Sequence, residues 1–178
     1  MDTQKVKLLK VSKILGIILA IGGILLIAAI VLLLVLTVIA PSLDLGPGGV
    51  VIYVWGASMT LDGSVDSFRA LTMVTILSSV FMAAILLVAS LVCKDISREE
   101  TPFTKRISNK IKVISLLLFA QCIVVPLLQI VAATLFSQTT DTLASFDLGS
   151  IVIAAVFFCL ALVFEYGAEL QRQADETL

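Results

Sequence analysis

The chain has 178 residues, of which 60% are hydrophobic and 14% charged, with a formal net charge of -1. Soluble domains run nearer about 45–50% apolar and about 25% charged, so the composition points to an integral membrane protein, and the near-zero net charge argues against the broad basic field of a nucleic-acid-binding protein. Histidine is absent, which removes the commonest general base and the commonest metal ligand.

Residues 1–13 are short and basic, with Lys5, Lys7, Lys10 and Lys13 set among Val6, Leu8, Leu9 and Val11. Ile14 to Ala40 then runs without a charge. A bilayer core of about 30 Å needs about 20 helical residues, so this first span, about 14–40, crosses with tilt to spare. A signal peptide is the rival reading, but its apolar core is only about 7–15 residues long, and Pro41 would follow the cleavage site. We read a retained helix. Gly16, Ala20 and Gly23 fall at helical spacing and suit close packing against a neighbouring helix.

Pro41 ends that helix. The following segment, residues 41–69, carries the turn cluster Gly46-Pro47-Gly48-Gly49, a β-branched and aromatic run from Val50 to Trp55, and a second turn signal at Asp62-Gly63. These features predict a small extracellular hairpin on the membrane surface, with Tyr53 and Trp55 at the interface. The functional reading of this segment is a ligand or partner loop; the alternative is an interfacial connector.

The second span, about 70–92, has Thr72, Thr75, Ser78, Ser79 and Ser90 available for interhelical hydrogen bonds. The polar stretch 93–112 forms a central cytoplasmic loop. The third span, about 113–136, contains Gln121, Pro126 and Gln129. The proline predicts a kink. The glutamines lie eight apart, on nearly one face, and are either a candidate intramembrane polar pocket or structural glue between helices. The fourth span, about 148–168, carries one carboxylate, Glu165, near its end. Cys122 and Cys159 lie in apolar runs and read as small hydrophobes. Cys93, at a span end, is a weak candidate for lipidation or redox sensing.

Of the 12 lysines and arginines, four lie in residues 1–13, six in 93–112 and one, Arg172, in the tail. Only Arg69 lies elsewhere. The positive-inside rule places both termini and the central loop in the cytoplasm. No ionisable residue other than Glu165 lies within a span, which argues against an ion-coupled transporter. No Ser/His/Asp set, HExxH, Walker loop or paired intramembrane carboxylates appear, so the chain is not expected to be an enzyme.

On the cytoplasmic side, Thr101 and Pro102 form a helix start, with Thr101 as cap and Pro102 at the first helical position. The third helix is expected to run from there into the membrane, with Phe103, Ile107, Ile111 and Ile114 as an apolar stripe. Residues 93–100 read as a flexible link. The tail from Phe164 continues the fourth helix, with Glu165, Glu169 and Glu176 on one face and Tyr166, Leu170 and Ala174 as an adjacent apolar stripe. We expect these two extensions to pack stripe to stripe, Glu165 or Glu169 facing Lys105, Arg106 or Lys110. The competing reading is that both are solvated and the bases meet anionic lipid headgroups.

The segment Thr101-Pro102-Phe103-Thr104 with Arg106, and the ending Phe164-Glu165-Tyr166-Gly167-Ala168-Glu169-Leu170-Gln171 closed by Asp175-Glu176-Thr177-Leu178, resemble a family of small bacterial membrane proteins. That family is catalogued as domain of unknown function twenty-nine seventy-five. The resemblance implies a four-helix membrane protein, often encoded beside a small helix-turn-helix regulator, and supplies no catalytic residues.

The combined expectation is a single all-α membrane domain, a four-helix bundle of the bacterial inner membrane with cytoplasmic termini. Its function is read as non-enzymatic and regulatory, with a docking face of Thr101, Pro102, Phe103, Thr104, Arg106, Lys110, Glu165, Glu169, Asp175 and Glu176. Expected partners are membrane lipids and a cytoplasmic transcriptional regulator, with homo-oligomerisation left open. Direct nucleic-acid contact, cofactors and metals are not expected. The alternatives are a transport-related or lipid-binding protein using Gln121 and Gln129, and a toxin-immunity protein using residues 41–69.

Overall fold

The structure, a computed structural model, describes residues 3–39, 50–54, 57–61, 65–99, 104–136 and 148–176. Four helices carry the chain: α1 Thr3–Ile39, α2 Val65–Glu99, α3 Lys105–Phe136 and α4 Leu148–Glu176. All four are long and apolar enough to cross a membrane, through Leu9–Ile39, Phe68–Arg98, Lys105–Ala132 and Leu148–Gln173. At 1.5 Å per residue they measure roughly 44–56 Å, so each outruns a hydrocarbon core of about 30 Å. The all-α membrane architecture expected from composition is therefore the one adopted.

Helix α1 shows why lipid is the solvent. It is apolar on all sides, yet only 6% of its most apolar stretch is buried by the rest of the chain. An apolar helix so exposed needs hydrocarbon around it, and its backbone groups are satisfied internally, as that medium requires. The last helical residue, Ile39, lies two before Pro41, which disfavours helix in the residue preceding it.

Between α1 and α2 lies a two-stranded antiparallel hairpin, β1 Val50–Val54 and β2 Ala57–Leu61, with Val50 opposite Leu61 and Val54 opposite Ala57. Residues 55–56 and the Asp62-Gly63 turn signal lie outside the described residues. Trp55 lies outside the described residues, as does the interfacial placement foreseen for it.

Two expectations for the central stretch need correction. Residues 93–99 are not a link, because α2 continues through them to Glu99. The first helical residue of α3 is Lys105. Thr104 is its cap: its carbonyl accepts from Ser108 N at 3.1 Å, and its Oγ1 accepts from Ile107 N at 3.4 Å. Thr101, Pro102 and Phe103 lie outside the described residues. Helix α3 continues through the buried Pro126.

The chain divides into two compact units. Unit 1 comprises Met1–Ile24, Ala84–Phe119 and Gly149–Leu178, and unit 2 comprises Leu25–Ala83 and Ala120–Leu148. In unit 1, Ile85 and Val92 of α2 pack with Ile107, Ile111 and Ile114 of α3 and Ala161 of α4. The stripe expected on α3 is thus buried. In unit 2, Ala70, Leu71 and Val74 of α2 pack with Val125 and Ala132 of α3.

Unit 1 is stitched by serines that donate to main-chain carbonyls of the next helix. Ser12 donates to Cys93 O at 2.6 Å and Ser90 to Gly16 O at 2.9 Å, so α1 and α2 each supply one donor. Ser108 and Ser115 of α3, both fully buried, donate to Ala161 O and Ala154 O of α4 at 2.9 and 3.0 Å. Small residues bring the backbones within reach. Gly16 is the closest case, where an added Cβ would lie 3.2 Å from Cys93 Cβ. Of the α2 hydroxyls expected to bridge helices, Ser90 does so, whereas Thr72 and Ser78 bond back to Phe68 O and Thr75 O within α2.

Candidate functional site at the charged ends of α2, α3 and α4

The ends of α2 and α4 and the beginning of α3 gather the charges of unit 1. Asp95 sits one turn beyond Val92, on the face of α2 that packs against α3. The residue is only 4% exposed. A buried carboxylate is tolerated when it is paired and hydrogen-bonded. Lys110 supplies that partner, its Nζ donating to Oδ2 at 2.5 Å, and Arg106 Nε stands 3.4 Å from the same oxygen. Both cations lie on α3, one helical turn apart, so Asp95 joins α2 to α3 through two successive turns.

A second pair joins α3 to α4. Lys112 Nζ donates to Glu165 Oε2 at 2.6 Å, both groups being partly exposed. Farther along α4, Arg172 bridges two carboxylates of its own helix, Glu169 at 2.8 Å and Glu176 at 3.4 Å, and Gln173 also donates to Glu169. Such i,i+3 and i,i+4 pairs lie on neighbouring turns of one exposed helix face and tie only α4 to itself.

The α3 start and the α4 tail do meet, and the charge of Lys105, one of the expected partners, reaches Glu169, but the close ion pairs differ from those expected. Lys110 and Arg106 turn to Asp95, Glu165 takes Lys112, and Glu169 takes Arg172. The proposed apolar stripe of the tail also faces elsewhere: Tyr166 is 68% and Leu170 48% exposed. The side of α4 that packs on α3 carries Phe157, Ala161 and Phe164. Asp175 lies in the last turn of α4. Its side chain, and that of Ala174, lies outside the described residues.

Of the two intramembrane glutamines, Gln121 is half-buried, whereas Gln129 is 2% exposed and neither of its amide atoms has a hydrogen-bond partner among the described residues. The cysteines are unbridged, Cys93 and Cys122 half-buried and Cys159 exposed. Among the described residues, no three Cys, Asp or Glu side chains converge as a metal site would require.

Asp95 and the serine seam went unmarked in the sequence. The signal for Asp95 was the apolar series Ile85, Val88 and Val92, which continues at helical spacing into Asp95 and Ile96. For the seam it was the seven-residue spacing of Ser108 and Ser115, matched by that of Ala154 and Ala161.

Residues 58–178 match the model of a family described as protein of unknown function (DUF2975). The chain belongs to this family. The DUF2975 region takes in α2, α3 and α4, and with them Asp95, Arg106, Lys110, Lys112 and Glu165; α1 and β1 precede it. No curated protein and no solved structure matches the chain.

Proposed function

We propose that this chain is a non-enzymatic regulatory protein of the bacterial cytoplasmic membrane. Both termini and the α2–α3 connection face the cytoplasm, and the α4 tail holds a small, basic helix-turn-helix regulator. The lysine and arginine asymmetry supports the orientation. The observation that carries the partner reading is the tail itself. Helix α4 continues to Glu176, and Tyr166 and Leu170 are exposed beside Glu169, Arg172 and Glu176.

A partner needs both features. Exposed aromatic and aliphatic side chains supply anchor area, and a net acidic rim attracts a basic protein and steers its approach. A surface that reads DNA is positively charged because it must meet phosphates. An acidic tail would therefore compete with DNA for it.

Crosslinking and mass spectrometry on native membranes test this reading. The expected result is a crosslink between the tail region and a soluble DNA-binding protein, lost when 169–178 are removed. That truncation spares the Lys112–Glu165 pair. Recovery of self-crosslinks alone would defeat the proposal.

One observation favours a second reading, a ligand bound within the membrane. The unpartnered amide of Gln129 offers a donor and an acceptor to a small polar molecule. Density for such a molecule at Gln129 in an experimental structure would support it, and a dry site would remove it.

A further inference from the structure

Unit 1 contains a groove of about 480 Å³ between α1 and α2. Its charged lining is Lys13 from α1 with Lys94 and Arg98 from α2. None of these three pairs with an acidic group among the described residues. The contrast with α3 and α4 is direct, since Arg106, Lys110, Lys112 and Arg172 each have a carboxylate within 4 Å. The hydroxyl of Ser97, also in the lining, donates to nothing among the described residues, whereas that of Ser90 is engaged with Gly16 O.

The groove has a polarity gradient. Helices α1 and α2 run antiparallel here, because Ser12 meets Cys93 and Gly16 meets Ser90. From Lys13 the α1 wall proceeds to Ile17 and Ala20, and from Arg98 the α2 wall proceeds back to Ser90. Both walls therefore pass from cationic to uncharged in the same direction, from the ends of the two spans toward their interiors. An amphiphile with an anionic head and an apolar tail matches that order. A free anion would use only the head of it.

We propose that this groove binds an anionic glycerophospholipid, its phosphate held by Lys13, Lys94 and Arg98 with the Ser97 hydroxyl, and an acyl chain laid along Ile17 and Ala20. Three cations without an acidic partner among the described residues favour a headgroup bearing two phosphates over one bearing a single phosphate, and either over a zwitterion. Basic recesses between membrane helices at the lipid surface recognise anionic headgroups by this chemistry. The proposal is independent of the regulator reading, since it uses neither the tail nor a soluble partner.

The test uses the full-length protein purified in detergent and titrated with cardiolipin, phosphatidylglycerol or phosphatidylcholine, with bound lipid read by native mass spectrometry. Affinity is expected to fall in that order. Each basic residue near an anionic surface contributes about fivefold, so Lys94→Gln with Arg98→Gln should weaken cardiolipin binding about 25-fold. Lys105→Gln, an exposed cation outside the groove, should leave it unchanged. Ala20→Leu fills the apolar part without touching a charge and should also weaken binding. Equal losses from Lys105→Gln and the double variant would mean diffuse surface attraction and overturn the proposal. Displacement of lipid by millimolar inorganic phosphate, with no effect of Ala20→Leu, would reduce the groove to a simple anion site. Equal binding of the zwitterion would also overturn it.

Discussion

The ammonium of Lys110 lies 2.5 Å from the carboxylate of Asp95, whose side chain is only 6% exposed. This contact ties the last turns of α2 to the first turns of α3 across the only four residues, 100–103, that separate Glu99 from Thr104. A carboxylate so enclosed is tolerated because a cation stands against it, and taking away one partner leaves the other buried and unpaired.

Removing one member should therefore cost more than removing both. Lys110→Met leaves Asp95 with Arg106 alone and should destabilise the protein by about 2–4 kcal/mol, somewhat below the 3–5 typical of a fully orphaned buried charge. Asp95→Asn in the Lys110→Met background should recover part of that loss. Unfolding in mixed micelles, followed by circular dichroism, gives both values, and additive losses would mean that the two groups are not coupled.

The two glycines of α1 that approach α2 should respond differently. A Cβ at Gly16 meets Cys93 Cβ at 3.2 Å, whereas one at Gly22 meets only the flexible Leu86 tip at 3.7 Å. Gly16→Val should overpack the α1–α2 contact and cost about 1–3 kcal/mol. Gly22→Ala should be neutral or slightly stabilising, because alanine is the better helix former. The same unfolding measurement ranks them; equal effects would show that the close approach at Gly16 is unimportant.

Charge-swap cycles distinguish the pairs that form from those that the sequence made attractive. Exchanging Lys112 and Glu165 should show a coupling of about 0–1 kcal/mol, as partly exposed pairs do. Exchanging Lys110 and Glu169 should show none beyond error, since each is engaged elsewhere. A strong coupling between Lys110 and Glu169 would contradict the observed arrangement.

Gln129 carries a polar amide into a buried site where it has no hydrogen-bond partner among the described residues. Burying such a group unsatisfied costs about 1–3 kcal/mol. Gln129→Leu, close in volume, should therefore raise stability by about that amount. Thermal denaturation in detergent is the measurement. A destabilised variant would mean that the amide has a partner in the membrane.

The hydropathy of the chain made the four spans legible, because lipid imposes the same length and polarity on every crossing. The apolar stripe Ile107, Ile111 and Ile114 was legible for a related reason, since helical spacing survives outside the bilayer. What was hidden depended on helix rotation. In a link, Asp95 is one loop charge among several; as part of α2 it faces inward and claims both Lys110 and Arg106. Ser108 gives no signal of its own, because a serine near charges normally faces water. Tyr166 and Leu170 kept their periodicity and still face away, because the small side chain of Ala161 lets α4 approach α3 on another side.

The serine seam between α3 and α4 places every acceptor on the main chain. Replacing Ala154 or Ala161 by another small residue leaves the carbonyl in place, so the bond survives substitution on one side and is lost only from the other. The hydrogen bonds of the seam are thus encoded on α3, while α4 need only keep small side chains at the two buried alanines. Among relatives, Ala154 and Ala161 should exchange with other small residues without compensating changes at Ser108 and Ser115.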